Sequence, residues 1–280
     1  MSYGKSNEPT SFLYDPLFTM KITLGGELSL TMLIERVALE IPESHILMSN
    51  TDGFECRIKR TSLDKYYQIC SEWEELTKLK LEYAIYNKLI IRDVNNYIGI
   101  YDNGKVKLKG VFEIDRDWHK NHSMKIVPYA LKQYYVNNIS VEESIHNCND
   151  IFKFCKGAKS KGNNKLELHS YQNFELIKEP LQKINRYYIS SNSDKTLMKV
   201  LPPLERLTDT DKHRLKVNPN QSNLFDFMED VRVDPDRESN VEAGYKVTIL
   251  NEYVKKEINE YEINYDYYIN ECYKIINAIK

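Results

Sequence analysis

A single carboxylate at the tip of a short hairpin is the feature of this sequence best suited to chemistry. The turn 49–53, Ser-Asn-Thr-Asp-Gly, separates two strand-like runs, Ile46–Met48 and Phe54–Ile58, and places Asp52 near its end. A carboxylate held there is rigid and exposed at one point, and Mg²⁺ prefers oxygen ligands of this kind. Two Mg²⁺ ions about 4 Å apart clamp an in-line phosphoryl displacement, which requires at least two carboxylates from different strands. On spacing alone the simpler interpretation is that Asn-Thr-Asp-Gly is good turn chemistry, so both interpretations stay open.

Hydrophobic periodicity predicts the elements that would hold this hairpin. An amphipathic helix is predicted over Leu30–Ile41, after a break at Gly25-Gly26 and before a stop at Pro42. A second helix is predicted over Leu63–Leu76. The segment 79–113 should form a β-meander, with its first strand at 81–86 and a hairpin turn at 102–104, Asp-Asn-Gly. These elements predict an antiparallel sheet with helices on one face.

The character of the sequence changes near residue 120. Helices are predicted over 125–136, from a capping box at Ser140 to about Phe154, and over the Tyr-rich end 261–280. Between them lie a basic Gly/Asn loop at 156–165 and an irregular stretch at 202–240. The chain is therefore predicted to be α+β, with a β-rich domain over 1–120 and a mainly helical domain over 121–280.

Composition excludes several classes of protein. The 280 residues carry 39 basic and 41 acidic side chains, a net charge of −2, which excludes a wholly basic protein that coats nucleic acid but leaves room for a local basic groove. Five cysteines without a CxxC pair argue against a disulfide framework or a zinc ribbon and favour reduced thiols in the cytoplasm. The richest apolar run, Leu24–Ile41, is broken by charged residues, so no membrane span is expected.

The order of motifs resembles the C-terminal half of family B DNA polymerases, particularly phage-type ones. The hairpin at 46–54 resembles the family's motif C, in which Asp-Thr-Asp lies between hydrophobic strands, and Tyr3-Gly4 resembles the end of motif B. Three further segments resemble later parts of the family: Asp93–Tyr97 with Lys105–Gly110 resembles the strand of the Lys-Lys-Arg-Tyr motif and its Lys-Gly, and Leu181–Tyr188 and Asn264–Ile269 resemble thumb segments. The resemblance implies a partial polymerase palm followed by a thumb that grips duplex DNA.

The resemblance also assigns catalytic roles. Asp52 matches the second Asp of motif C, which ligates both catalytic metal ions in the family, and Thr51 precedes it. Asn50 stands where the family has its first Asp, which is a departure that weakens the inference of activity. Glu82 resembles a carboxylate beside the site, and the equal alternative is a solvated strand residue.

Residues that contact DNA follow from the same resemblance. Tyr3 is expected near the nascent base pair, and Tyr97 at the primer end. Asn96 stands where the family usually has a lysine. Further DNA contacts are expected from lysines that alternate along one strand and from an arginine in the first thumb segment: Lys105, Lys107, Lys109 and Arg186. The lysines at 153–165 are either a solvated loop or additional phosphate contacts.

The motif A carboxylate and the fingers lysine of the family are not found in this sequence. We therefore expect the chain to be inactive alone, as one part of a split or truncated polymerase in the host cytoplasm if phage-encoded. Its expected partners are primer–template DNA, deoxynucleoside triphosphates and a separate N-terminal polymerase fragment, with Mg²⁺ at a two-metal site that motif A completes. The alternatives are a non-catalytic DNA-binding remnant or interaction protein, and a metal-dependent hydrolase that uses Asp52 differently.

Overall fold

The structure, a computed structural model, describes residues 2–114, 123–201 and 237–279. It divides into two compact units, of which the first runs to Val111 and includes Ile279, and the second runs from Phe112 to Ala278. Helices and antiparallel strands occur in the chain together, so the predicted α+β class is confirmed. The predicted boundary near residue 120 lies in 115–122, outside the described residues. The identities of the two units as palm and thumb stay predictions.

The first unit contains two small antiparallel sheets and two long helices. Its elements are α1 (Ser2–Ser6), α2 (Pro16–Glu40), β1 (His45–Ser49), β2 (Phe54–Arg57), α3 (Leu63–Thr77), β3 (Tyr86–Asp93), β4 (Asn96–Tyr101) and β5 (Val106–Leu108). Strands β1 and β2 pair as one sheet, and β3, β4 and β5 as another in that order. Side chains from α2 and α3 form a buried core against which β1 and β2 pack, namely Leu33, Val37, Ile41, Ile69, Cys70 and Trp73. The hairpin therefore has both helices on one face.

Helix α2 begins well before the predicted start. Asp15 caps it by accepting a hydrogen bond from the Phe18 amide at 3.0 Å, and Pro16 follows at a position that needs no amide donor. Because this start is strong, the helix continues through Gly25-Gly26, where a break is predicted. With its full length, α2 is long and apolar enough to cross a membrane by length and composition alone, and only 6% of its most apolar stretch is buried within the protein. The expectation of no membrane span therefore stays a prediction.

Strand β3 starts later than predicted. Helix α3 ends at Lys78, whose positive φ of 62° turns the chain, and residues 78–85 are irregular before Tyr86 begins the strand. The predicted strand at 81–86 is therefore wrong, whereas the meander itself is present as β3, β4 and β5.

In its described residues, the second unit contains more strands than helices. Its elements are α4 (Ile126–Asn137), α5 (Val141–His146), α6 (Ile151–Phe154), β6 (Lys156–Lys159), β7 (Lys165–Gln172), β8 (Glu175–Pro180), β9 (Ile184–Ser190), β10 (Thr196–Leu201), β11 (Arg237–Asn240), β12 (Lys246–Ile249) and α7 (Tyr265–Ile276). The strands form two antiparallel sheets in the orders β11-β10-β7-β8 and β12-β9-β6. For the described part of this domain, the prediction of a mainly helical structure is wrong. In β7, buried and less buried side chains alternate as expected of a strand, since Leu166 and Leu168 are buried on either side of Glu167.

Two local predictions in this unit also need correction. The helix predicted from Ser140 to Phe154 is interrupted, because Asp150 caps a new helix by accepting from the Phe152 amide at 3.0 Å. The predicted basic loop at 156–165 instead begins with β6, which pairs with β9. The Tyr-rich terminal helix is present as α7. Most of the stretch predicted to be irregular lies in 202–236, outside the described residues.

Candidate functional site

The hairpin turn is closed by Asn50. Its backbone amide donates to the Gly53 carbonyl at 2.9 Å. Its side-chain Oδ1 accepts from the amides of Asp52 at 3.0 Å and Gly53 at 2.9 Å. A short polar side chain that satisfies its own turn in this way fixes the backbone conformation. Asn50, which stands where the resemblance expects an aspartate, is thus the residue that shapes the turn, and it leaves Thr51 and Asp52 exposed at the tip.

The strands below the turn are anchored on one side only. Ile46 and Phe54 are half-buried and pack against the core of α2 and α3, while Leu47 on the other face is 41% exposed. In the part of the chain that the structure describes, β1 and β2 pair only with each other. Each strand therefore keeps an outer edge that pairs with no other described strand.

Tyr3 is held against α2 by hydroxyl groups. Its phenol shares a hydrogen bond of 2.9 Å with the Thr23 hydroxyl. One turn away, Ser6 shares a hydrogen bond of 2.6 Å with Thr19 and donates to the Tyr3 carbonyl at 2.6 Å. Ser6 is buried, so this contact ties α1 along the side of α2. The position of the Tyr3 ring is therefore set by contacts that span about 20 residues of chain.

An open pocket of about 380 Å³ lies where α1, α2 and the hairpin tip meet. It is lined by Tyr3, Ile22, Thr23, Gly26, Glu27, Thr51 and Asp52. Three predicted site residues, Tyr3, Thr51 and Asp52, are thus brought together. Asn50 does not line the pocket, and Glu82 lies elsewhere, exposed in the irregular segment after α3. The predicted role of Glu82 beside the site has no support from its position.

The sequence pattern does not single out the four lining residues from α2 as site residues. Glu27 carried one signal, since it is an acidic residue inside an apolar run, but it served only to argue against a membrane span. Glu27 and Asp52 line the same pocket only because of tertiary packing, which the hydrophobic periodicity of the sequence does not predict.

The pocket is acidic and rich in oxygen donors. Asp52 and Glu27 contribute carboxylates, and Thr51 contributes a hydroxyl. Within the described ranges, no basic side chain forms an ion pair with either carboxylate. These donors are the type that Mg²⁺ prefers. The same ranges hold no group of three or more acidic, His or Cys residues able to bind a metal ion. The donors present therefore fit Mg²⁺ in kind, and another carboxylate is needed to complete a two-metal site.

Asn96, a predicted DNA contact, is hydrogen-bonded within the first unit. Its amide nitrogen donates to Asp93 Oδ1 at 2.6 Å, and its Oδ1 accepts from the Val111 amide at 2.8 Å. Gly110 has a φ of +65°, and a Cβ there would collide with Asn96 Oδ1 and with the Asn95 carbonyl. The Asn96 side chain thus packs directly against the Gly110 backbone. This close contact and the positive φ explain why position 110 is a glycine.

Lys107 and Tyr97 are also packed rather than open. Tyr97 is only 6% exposed, and Lys107 Nζ lies 5.5 Å from the centre of its ring. The same Nζ donates to the Tyr86 hydroxyl at 3.2 Å. Hydrogen bonding to Tyr97 raises the pKa of Lys107 above its ordinary value, so the lysine stays charged. Burial raises the pKa of the Glu55 carboxyl above its ordinary value, and the positive charge of Lys107 opposes this shift only in part.

The three lysines expected to face DNA differ in their surroundings, and their DNA contacts stay predictions. Strand β5 covers only 106–108, and the exposed Lys105 and Lys109 flank it. Because the Lys107 ammonium is engaged by two tyrosines, it has less freedom to contact phosphates. The role of Tyr97 at the primer end stays a prediction, and its side chain is buried in this structure.

In the second unit, the predicted DNA contact Arg186 packs on an aromatic ring. Its guanidinium lies 5.1 Å from the centre of the Phe152 ring. Two lysines of the basic segment are similarly occupied. Lys153 lies 4.3 Å from the Tyr129 ring centre, and Lys156 forms an ion pair with Glu242 at 2.6 Å. The basic segment is thus partly a set of internal contacts.

Comparison with known proteins does not assign the chain to a family. No protein-family model matches the sequence, and no curated protein matches it significantly.

Proposed function

We propose that this chain is the C-terminal palm and thumb portion of a DNA-directed DNA polymerase. The observation that carries the proposal is the pocket of about 380 Å³, in which Tyr3, Thr51 and Asp52 meet although about 50 residues separate them in sequence. These residues come from the two motifs of the resemblance that lie closest to polymerase chemistry. Motifs B and C are both expected beside the reacting nucleotide, so the meeting of these two segments at one open pocket supports the proposal.

Each pocket residue has a distinct task in this proposal. Asp52, held at the hairpin tip, binds the catalytic cation, and Mg²⁺ would supply charge neutralisation for transfer of a nucleotide to the primer 3′ hydroxyl. Asn50 keeps the turn in the shape that aims Asp52 at the pocket. Tyr3, fixed by Thr23, lies where it can contact a base pair. Lys105 and Lys109 contact duplex phosphates, which gives affinity without sequence preference.

The proposal includes a separate N-terminal polymerase fragment as partner. Such a fragment would supply the further carboxylate that the pocket needs and a strand for the open hairpin edge. A second surface supports a partner. On α2, apolar side chains recur at the spacing of one helical face and are 47% to 69% exposed, namely Leu17, Met20, Leu24 and Leu28. A contiguous exposed apolar face is typical of an interaction surface.

Primer extension by the reconstituted enzyme tests the proposal. The chain is mixed with a polypeptide that carries motif A and the fingers, and extension is measured with and without Mg²⁺. We expect Mg²⁺-dependent extension from the mixture and none from either part alone. Asp52→Asn should reduce it by at least about 100-fold, because a metal-binding carboxylate is lost.

Thr51→Ser is the matched control, since it keeps the hydroxyl and leaves Asp52 in place. Extension that survives Asp52→Asn would mean that Asn-Thr-Asp-Gly is only a turn. DNA binding by the mixture without any extension would favour the alternative, a non-catalytic DNA-binding remnant.

A further inference from the structure

The tip of the β7–β8 hairpin carries a phenylalanine in an unfavourable place. Six residue pairs join the two strands, and the last of them, Gln172 with Glu175, leaves Asn173 and Phe174 as a two-residue turn. Both turn residues have a positive φ, 50° and 66°. Asparagine followed by glycine is the usual sequence of such a turn, because a bulky side chain is strained at positive φ. Phe174 therefore stands where a glycine is expected.

The Phe174 ring has no role in the packing of the second unit. The residue is 102% exposed, so no other described part of the chain covers it. Tyr171 and Leu176, which face each other across the strands next to the turn, are exposed as well. A strained backbone and a cluster of exposed apolar side chains both cost stability. This combination indicates that the tip contacts another molecule.

The charge at the tip disfavours an anionic partner. Glu175, which follows Phe174, is exposed, and the lysine of β8, Lys178, forms an ion pair with Glu238 at 2.5 Å. The phosphates of nucleic acids and of anionic lipids would be repelled by the Glu175 carboxylate. An aromatic ring beside a carboxylate instead suits an apolar pocket with a basic residue at its rim. A pocket of this kind belongs to a folded protein.

The size of the tip shows that it forms only part of an interface. One aromatic side chain buries about 150–250 Å², whereas a stable protein interface needs about 800 Å² from each partner. A partner that binds Phe174 must therefore contact this chain elsewhere too. The proposed N-terminal polymerase fragment meets this requirement, because its other contacts would be the exposed apolar face of α2 and the outer edge of the β1–β2 hairpin.

We propose that Phe174 is an anchor by which the second unit binds the separate N-terminal polymerase fragment. Its ring enters an apolar pocket of that fragment, and Glu175 pairs with a basic residue at the rim. Paired strands support the ring, so little conformational entropy is lost on binding. This inference rests on the proposed polymerase function and gives the same partner a second contact.

Calorimetric titration of the full chain with a polypeptide that carries motif A and the fingers tests the inference. We expect Phe174→Gly to weaken the affinity about tenfold, which corresponds to about 1.4 kcal/mol. The same variant should raise the melting temperature of the chain alone by about 2–4 °C, because glycine relieves the strain at positive φ. A merely structural role for the ring would instead lower the melting temperature.

Two further variants serve as controls. Phe174→Trp keeps a large aromatic ring at the tip, so its affinity should lie within about threefold of wild type. Tyr253→Ala removes another exposed aromatic side chain of the second unit, outside the tip, and should leave the affinity unchanged.

Primer extension separates assembly from chemistry. With Phe174→Gly, the fragment concentration that gives half-maximal extension should rise about tenfold. The rate at saturating fragment should equal that of wild type, because an anchor contributes to assembly and not to the reaction.

Wild-type affinity in Phe174→Gly would overturn the inference and leave the polymerase proposal standing, provided that the wild-type mixture extends primers. Absence of extension from the wild-type mixture would overturn the polymerase proposal, and the inference with it. A lower melting temperature for Phe174→Gly would show that the ring stabilises the fold and would count against an anchor. Binding to single-stranded DNA or to phosphatidylcholine vesicles that Phe174→Gly abolishes would identify a nucleic-acid or lipid contact instead, and the protein anchor would be refuted.

Discussion

Replacing Asn50 with alanine should destabilise the first unit. The substitution removes Oδ1, which accepts two backbone hydrogen bonds at 3.0 and 2.9 Å. Each such bond contributes about 0.5–1.5 kcal/mol net, and the exposed amides regain water, so the total loss should be about 1.5 kcal/mol. For a unit of about 110 residues this lowers the melting temperature by about 6 °C.

The assay is thermal or urea unfolding of the full chain, followed by far-ultraviolet circular dichroism. Asn50→Asp is the matched control, since a carboxylate oxygen can accept the same two amides, and its stability should lie within about 0.5 kcal/mol of wild type. Asp52→Asn is a second control, because the Asp52 side chain accepts neither bond. The reasoning fails if Asn50→Ala unfolds with the wild type, or if Asn50→Asp is the less stable variant.

Two further predictions concern the sheet of β3, β4 and β5. Gly110→Ala should destabilise the first unit by at least about 2 kcal/mol in urea unfolding, because alanine is strained at a φ of +65° and its Cβ would collide with Asn96 Oδ1 and the Asn95 carbonyl. Gly104→Ala is the control for strain alone, since Gly104 also has a positive φ but lies in open space. Equal losses of stability from the two variants would refute the role of the collision. Lys107→Met should cost about 1 kcal/mol of stability, because the contacts of Lys107 with Tyr86 and Tyr97 are lost. Lys105→Met and Lys109→Met should leave stability unchanged but weaken duplex binding, and each should reduce the slope of log affinity against log salt by about 1. A larger loss of duplex binding from Lys107→Met than from either of these variants would show that the Lys107 ammonium faces DNA.

The hairpin and the two helices beside it were predictable because their signals are local. Asn50 and Gly53 specify the turn through their own backbone, and the apolar spacing of Leu33 and Val37 marks the face of α2 that meets the hairpin. The start of α2 was misplaced because the capping signal of Asp15 lies far upstream of the most regular apolar stripe. Gly25 and Gly26 do not end α2, which is capped by Asp15 and is 25 residues long.

The contacts of Lys107 and Glu27 were beyond sequence reasoning for a different reason. A lysine in an alternating strand has the same local pattern whether its ammonium faces water or a tyrosine 21 residues away. Glu27 similarly becomes part of a site only because α1 and the hairpin tip converge on α2. The strands of the second unit were missed because β6 consists of lysine, glycine and alanine, a composition typical of loops, and it is stabilised by its pairing with β9.

The position of Asn50 also bears on how much its departure from motif C matters. Its Oδ1 is directed at the amides of Asp52 and Gly53, and the residue does not line the pocket. An aspartate there would keep these two bonds and would place its charge at the turn rather than in the cavity. We therefore expect Asn50→Asp to leave extension by the reconstituted enzyme nearly unchanged. The second carboxylate of the pocket is Glu27, on a different element, so Glu27→Gln should weaken the dependence of extension on Mg²⁺ more than any change at Asn50 that preserves the turn.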